Sequence, residues 1–292
     1  MCTFKRPSFL ERLLDKLQDH TSGGPFTCSI VVVDNDFKRS AEKSVQAFAL
    51  KSGVPLDYYI EPVRNISLAR NKSVQHAAGD LIAFIDDDEF PEDSWLLNLF
   101  ITLNTYNADG VLGPVKPHFE NEPPPWLLNS GILERQSFST GTVIPSVKYT
   151  RTGNVLLSKS LFEKPEDYFD PAYGRLGGGD AIFFKRMMQK QKRFVWCNEA
   201  IVYETVPLER QKRLYYIKRA ITRGAGEAKH QPLISIPTLK SCAAAGLYAL
   251  LAPCVFFSQP LFLRYSVKAC DHWGKLLAYL GIHIVKERPY ED

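Results

Sequence analysis

The stretch Leu81-Ile82-Ala83-Phe84-Ile85-Asp86-Asp87-Asp88-Glu89 passes without a break from an apolar run to a run of acids. A short segment that is apolar on both faces reads as a strand buried between two layers of helices. The acids that end it lie at the strand's carboxyl end. Upstream, the pattern repeats. A helix from Ile66 to Ala77 precedes that strand, a short strand from Leu56 to Glu61 precedes the helix, and another helix covers about Arg39 to Lys51. Before these, Cys28-Ser29-Ile30-Val31-Val32-Val33 is again β-branched and apolar, and it stops at Asp34-Asn35-Asp36. Strands alternating with helices argue for βαβ units, hence an α/β fold with a mainly parallel central sheet flanked by helices. In such sheets ligands bind beyond the carboxyl ends of the strands, where both acidic clusters fall.

Downstream, Pro91 is expected to open a helix through Trp95, Leu96, Leu99 and Phe100, followed by a strand at Val111-Leu112-Gly113. A proline-rich loop from Lys116 to Ser130 carries Pro123-Pro124-Pro125-Trp126. A strand at Asn154 to Leu157 leads to Gly177-Gly178-Gly179-Asp180, where a helix to Lys190 begins with Asp180 as its N-cap. Val195 to Glu204 reads as a short strand pair, and Glu209 to Arg223 as a basic helix. Ser241 to Leu263 is mostly apolar between Lys240 and Arg264 but is interrupted by Pro253, Gln259 and Pro260. A membrane span, an interfacial or re-entrant hairpin, and a buried helical pair all fit that run. The organisation expected is a catalytic domain over 1–228 and a helical, apolar extension over 229–292.

Bulk properties narrow the class. The formal net charge of +4 is small and scattered, which argues against a nucleic-acid binder. The six cysteines show no C-x-x-C pair and no His at ligand spacing, which disfavours a zinc site or a disulfide framework and points to a reducing compartment. No unbroken apolar segment is present in the first thirty residues, so no signal peptide is expected.

A transfer reaction that releases a diphosphate builds negative charge, which a divalent cation with oxygen ligands holds. In Asp86-Asp87-Asp88 the outer side chains share one direction and the middle one turns away. Asp88 is the candidate metal ligand, and Asp86 the holder of a ribose or a metal-bound water. The competing reading is a solvated loop beside a helix N-terminus. Arg219 and Arg223 are one helical turn apart, suited either to clamping phosphate or to lying on lipid headgroups. Trp126 is a candidate for stacking on a ring of a bound ligand, which the resemblance below makes an acceptor sugar, against the plainer role of a packing anchor.

Taken in order, Cys2-Thr3-Phe4-Lys5-Arg6-Pro7, Val33-Asp34-Asn35, Asn65-Ile66-Ser67-Leu68-Ala69-Arg70-Asn71 and Ala78 through Glu89 resemble the family 2 glycosyltransferases of the GT-A fold. They are most like those that build bacterial succinoglycan-type exopolysaccharide or lipopolysaccharide. The resemblance extends to about Arg223. It implies a nucleobase pocket lined by Thr3, Lys5, Arg6 and Pro7, a base-reading Asp34, a diphosphate contact at Arg70, and the basic helix with Arg219 and Arg223 near the diphosphate. Asp86 and Asp88 then take the ribose and metal roles, with Mn²⁺ or Mg²⁺ as cofactor. Asp180 is the implied base that accepts the acceptor hydroxyl's proton. Where the family reads Gly-Glu-Asp, this chain has Gly178-Gly179-Asp180, so Gly179 alters an acceptor contact while the base is kept.

The function expected is an inverting transfer of a hexose from a nucleoside diphosphate sugar, UDP-linked, to a lipid-linked oligosaccharide in cell-surface polysaccharide synthesis. The protein is expected in the cytoplasm, peripheral at the inner face of the plasma membrane. The alternatives are a nucleotidyltransferase with a similar acidic metal site and a non-catalytic sugar-nucleotide or membrane-surface binder. Family members carry a full buried strand ahead of the Cys2–Pro7 segment, so an incomplete first strand is expected here.

Overall fold

The computed structural model describes residues 1–18, 24–175, 177–228 and 232–282. The chain forms two compact units: residues 1–118 with 135–205, and residues 119–134 with 206–292. Residue 229, where the sequence reading begins its C-terminal extension, lies outside the described residues.

The first unit is α/β. Its amino-terminal half runs β1 (Cys2–Thr3), α1 (Pro7–Gln18), β2 (Ile30–Asp34), α2 (Glu42–Lys51), β3 (Leu56–Ile60), α3 (Ile66–His76) and β4 (Leu81–Ile85). Sequence reading anticipated β2, α2, β3, α3 and β4, but neither the short β1 nor α1. That helix starts at Pro7, whose missing N–H costs nothing at a first helical position. It buries Leu10, Leu13, Leu14 and Leu17, the i, i+3, i+4, i+7 stripe of a core-facing helix. Fully burying each such leucine contributes roughly 1.5–3 kcal/mol.

The second half of this unit comprises β5 (Glu89–Pro91), α4 (Trp95–Thr105), β6 (Gly110–Leu112) and β7 (Val115–His118), then β8 (Asn154–Ser158), α6 (Gly179–Gln189), β9 (Phe194–Trp196) and β10 (Val202–Thr205). In chain order, α5 (Pro125–Leu128) lies between β7 and β8 and belongs to the second unit. The strands form three sheets in the orders β1-β2-β3, β4-β8-β6-β9 and β5-β10-β7. The first sheet is wholly parallel, whereas β8 runs antiparallel between β4 and β6.

Two expectations are corrected. Pro91 does not open a helix but ends β5, which pairs antiparallel with β10, and α4 starts at Trp95. The segment from Val195 to Glu204 is not a hairpin, because β9 joins β6 and β10 joins β5 and β7. A short apolar run states its burial but not its neighbour. Buried Asn154 links these parts: its Nδ2 donates to Pro114 O (2.9 Å) and Ala200 O (2.8 Å), and its Oδ1 accepts from Trp95 Nε1 (2.8 Å).

The second unit is helical: α5, α7 (Arg213–Ala228), α8 (Ile236–Cys254) and α9 (Gln259–Tyr279). The apolar run that sequence left open is divided between α8 and α9. Pro253 falls in the last turn of α8 and Pro260 in the first turn of α9, so the prolines mark the break. No helix among the described residues is long and apolar enough to cross a membrane. Leu127, Tyr216, Ala220, Leu263 and Val267 form this unit's buried cluster.

Candidate active site

The site grows from the carboxyl ends of β1, β2 and β4. Asp34, the last residue of β2, is fully buried. One carboxylate oxygen accepts the N–H of Asp36 (3.0 Å); the other accepts the N–H of Ala41 (2.8 Å) and the hydroxyl of Tyr58 (2.9 Å). Burial and the Asp34 carboxylate push the Tyr58 phenol pKa up. Asn35, which sequence analysis left without a role, donates to Glu61 O and Val63 O and accepts from Asn65 N–H (2.9 Å). Asn65 in turn caps α3, accepting from the N–H groups of Ser67 and Leu68. The loop between β3 and α3 is thereby tied to the end of β2.

After β4 the three aspartates diverge. The middle one turns inward: Asp87 accepts from Thr3 Oγ1 (2.8 Å) and from Arg6 (3.1 Å). Burial raises its pKa to about 6 against the lowering effect of Arg6. Asp88 also accepts from Arg6 (3.1 Å). Thr3 and Arg6, separated by more than eighty residues from the acids, are thus fastened to them. Lys5 is exposed, with φ 53°, and Pro7 is an exposed first residue of α1.

Asp86 pairs with Arg70 of α3 at 3.7 Å and keeps 47% of its side-chain surface accessible. Even so, it lies deep enough for loss of hydration to raise its pKa. Arg70 opposes that rise, while the charges of Asp88, Asp180 and Glu204 add to it. Glu89 closes the loop, its carboxylate accepting the Asp86 N–H (3.1 Å) while its own N–H donates to Asp86 O. Burial, then the Asp86 charge, raises the Glu89 pKa well above the ordinary carboxylate range. Gly153 makes this approach possible, since a Cβ there would stand 2.6 Å from Glu89 Oε1 and 3.1 Å from Asp86 Oδ2.

Glu89 and Glu204 face each other across β5 and β10. Like charges directly opposite destabilise a sheet. The arrangement relieves this twice: burial raises the Glu89 pKa and so favours its neutral form, and Glu204 pairs with Arg135. Arg151 adds a partly buried guanidinium whose pKa burial lowers to about 10, next to Arg135 and within the field of Glu89, Glu204 and Asp180. No local pattern announces Glu204, Arg135 or Arg151, because distant segments bring them together.

Asp180 stands in the first turn of α6, but it is not the N-cap. That position is Gly178, at φ 88°, following Gly177 at φ 89°. Two consecutive left-handed residues are a conformation that glycine alone adopts cheaply. The turn releases the Asp180 carboxylate from capping, apart from a bond to the N–H of Ala181 (3.0 Å). Gly179 packs near the Ser67 hydroxyl, which is buried without a hydrogen-bond partner among the described residues.

The remaining candidates lie in the helical unit. Trp126 meets Tyr216 edge-on at 6.3 Å, with the Arg213 guanidinium 5.3 Å from its ring centre. Arg219 is exposed on α7, and Arg223 is paired with Asp271 of α9 at 2.8 Å.

Carboxylates at Asp86 and Asp88, crowded by Asp180 and Glu204, form a concentration of negative charge that a hard cation relieves. Among the described residues no group of three or more His, Cys, Asp or Glu forms a protein-only cage.

Carboxylate clusters at the strand ends of two sheets, flanked by Arg6 and Arg70, place the chain among α/β enzymes whose ligands bind beyond the strand ends. Residues 1–164 match the family model described as glycosyl transferase family 2. The chain is 30% identical over 298 residues to the succinoglycan biosynthesis protein ExoM of Rhizobium meliloti (strain 1021), covering 98% of this chain and 94% of that protein. Crystal structures of S. aureus TarS 1–349 share the fold at 15% identity. The complex with UDP-GlcNAc has a TM-score of 0.58 and the complex with UDP 0.55, each covering 97% of this chain and 91% of that one. This chain belongs to glycosyl transferase family 2 and is a glycosyltransferase with a GT-A-type fold.

Proposed function

We propose that the protein transfers a hexose from a UDP-sugar, with inversion at the anomeric carbon, to a lipid-linked oligosaccharide during synthesis of a cell-surface polysaccharide. The observation that carries this reading is the convergence of Asp86, Asp88 and Asp180 on one field of charge. A relative named for succinoglycan biosynthesis supports the polysaccharide, and a structural neighbour crystallised with UDP-GlcNAc supports the donor class.

In this reading Thr3, Lys5, Arg6, Pro7 and Asp34 form the nucleobase side, and Asp86 holds the ribose. Asp88, with Asp86, holds Mn²⁺ or Mg²⁺, which when bound neutralises charge on the departing diphosphate. Arg70 contacts the same diphosphate, with Arg219 and Arg223 as further cations. Asp180 takes the proton from the acceptor hydroxyl as its oxygen bonds the anomeric carbon and the carbon–oxygen bond to the diphosphate breaks. Gly179 and Trp126 belong to the acceptor side. Residues 1–228 act as the catalytic domain, and the segment beyond them attaches the enzyme to the inner face of the plasma membrane. The exposed Leu250, Phe256, Phe257, Leu261 and Phe262 beside Arg264 suit that attachment.

The test is release of nucleoside diphosphate from a panel of nucleotide sugars with a lipid-linked acceptor, with and without Mn²⁺ or Mg²⁺. Expected is UDP release that needs metal and is lost in Asp88→Ala. Pyrophosphate release from a nucleoside triphosphate and a sugar phosphate, or binding without turnover, would overturn it.

A further inference from the structure

A cavity of about 630 Å³, the size of a small-ligand site, opens between α3, α6 and the segment 163–171. Asn71 and Gln75, one turn apart on one face of α3, line it from one side, and Arg186 of α6 from the other. The segment is held to both helices. Asn71 accepts the Phe169 N–H and donates to Phe169 O, each at 2.8 Å, while Arg186 donates to Tyr168 O. Arg186 Nε is buried with no hydrogen-bond partner among the described residues.

The balance of charge selects the ligand. Among the lining residues, Glu163, Glu166 and Asp170 set three carboxylates against the one guanidinium of Arg186, so a phosphate or other anion is repelled. Carboxylates only accept hydrogen bonds, which calls for a ligand rich in O–H donors. The Gln75 amide and the guanidinium supply donors to that ligand's own oxygens. Tyr168 and the rings of Pro165 and Pro171 add apolar surface against which a sugar ring packs. A neutral saccharide meets all these conditions.

We propose, on the footing of glycosyl transfer at Asp180, that this cavity holds a sugar unit of the acceptor glycan remote from the hydroxyl that reacts. Arg186 follows Asp180 by six residues on α6, about 9 Å along the axis, a distance that a short oligosaccharide spans. The α3 stripe of Ser67, Asn71 and Gln75 leads the same way, starting where a Cβ on Gly179 would stand 3.0 Å from the Ser67 hydroxyl. The cavity also shares a wall with the charged site. Phe169 turns its ring to the guanidinium of Arg70 at 5.7 Å, and Arg70 pairs with Asp86. Acceptor affinity therefore grows with glycan length.

The test titrates the full chain with neutral oligosaccharides of one to six hexose units and varied linkage. NMR follows the Gln75 side-chain amide and the Arg186 Nε–H, and UDP binding is measured in parallel by calorimetry. Saturable shifts of both signals are expected, with Kd for the best longer saccharide about tenfold or more below that for the single hexose. The double variant Gln75→Ala with Glu166→Ala, read at Arg186, is expected to weaken that binding about tenfold and to raise the KM of a lipid-linked acceptor likewise. No response to any saccharide while UDP still binds would overturn the proposal and leave the transfer reading standing. Saccharide binding without any turnover would overturn the transfer reading and the acceptor assignment with it. A saturable response to putrescine, with none to saccharides, would assign the carboxylates to a cationic ligand and overturn the proposal.

Discussion

The α/β unit hides charge, whereas the helical unit shows oil. In the first, Asp34, Asp87, Glu89 and Asn154 are buried, each held by partners from distant segments or, for Glu89, by its own loop. In the second, many large apolar side chains of α8, α9 and the turn between them meet solvent, Phe256 and Phe257 of that turn at 74% and 76%. Buried polar groups are costly unless fully partnered, so they persist where geometry must be held. Exposed apolar surface of this extent marks a face meant for something other than water. One unit is built for positional accuracy; the other presents the apolar surface on which the proposed membrane attachment rests.

Removing the proposed base tests the first half of that contrast most severely. Asp180→Asn is expected to lower kcat by about 10²–10⁴-fold while leaving the donor Kd within about twofold, read by steady-state kinetics beside calorimetric titration with UDP. An equal loss of donor affinity would assign Asp180 to binding instead. Next comes the polar scaffold: Asn154→Ala removes three buried hydrogen bonds and is expected to cost about 3 kcal/mol in denaturant unfolding. A cost under about 1 kcal/mol would mean that the link between α4, β8 and the β9–β10 loop carries no strain.

The adhesive half is probed by the double change Phe256→Ser and Phe257→Ser. Partition onto anionic phospholipid vesicles is expected to fall about tenfold or more, with kcat on a soluble acceptor analogue unchanged. Unaltered partition would detach these residues from the membrane.

The last effect, spread over a pH window, concerns Asp87. The pKa of Asp87 rises from 3.8 to about 6 on folding, so the native state holds more protons than the unfolded chain between those values. Stability owed to this group is therefore highest at low pH and declines as pH rises through that window, by at most about 3 kcal/mol. In Asp87→Asn that component of the decline should disappear, which thermal melts from pH 4 to 7 would register.

The acids after β4, the helix–strand alternation before them and the position of Asp180 after a glycine turn were all legible in the sequence. They depend on local composition and on the periods of strand and helix. The alternation expected across Asp86-Asp87-Asp88 does not decide their directions, because they form a turn after β4 and Arg6 holds both Asp87 and Asp88. The N-cap at Gly178 was misjudged because Asp is the commoner capping residue, and only the backbone angles of Gly177 and Gly178 decide otherwise.

By itself, then, the sequence determined which segments are buried, where the chain reverses and which acids stand at strand ends, since these are properties of neighbouring residues. Strand neighbours were decided only in three dimensions. So were the opposition of Glu89 to Glu204 and the guanidiniums of Arg135 and Arg151 beside them. Each depends on which distant segments share a sheet, and hydrogen-bond pairing between strands leaves no periodic trace in either one.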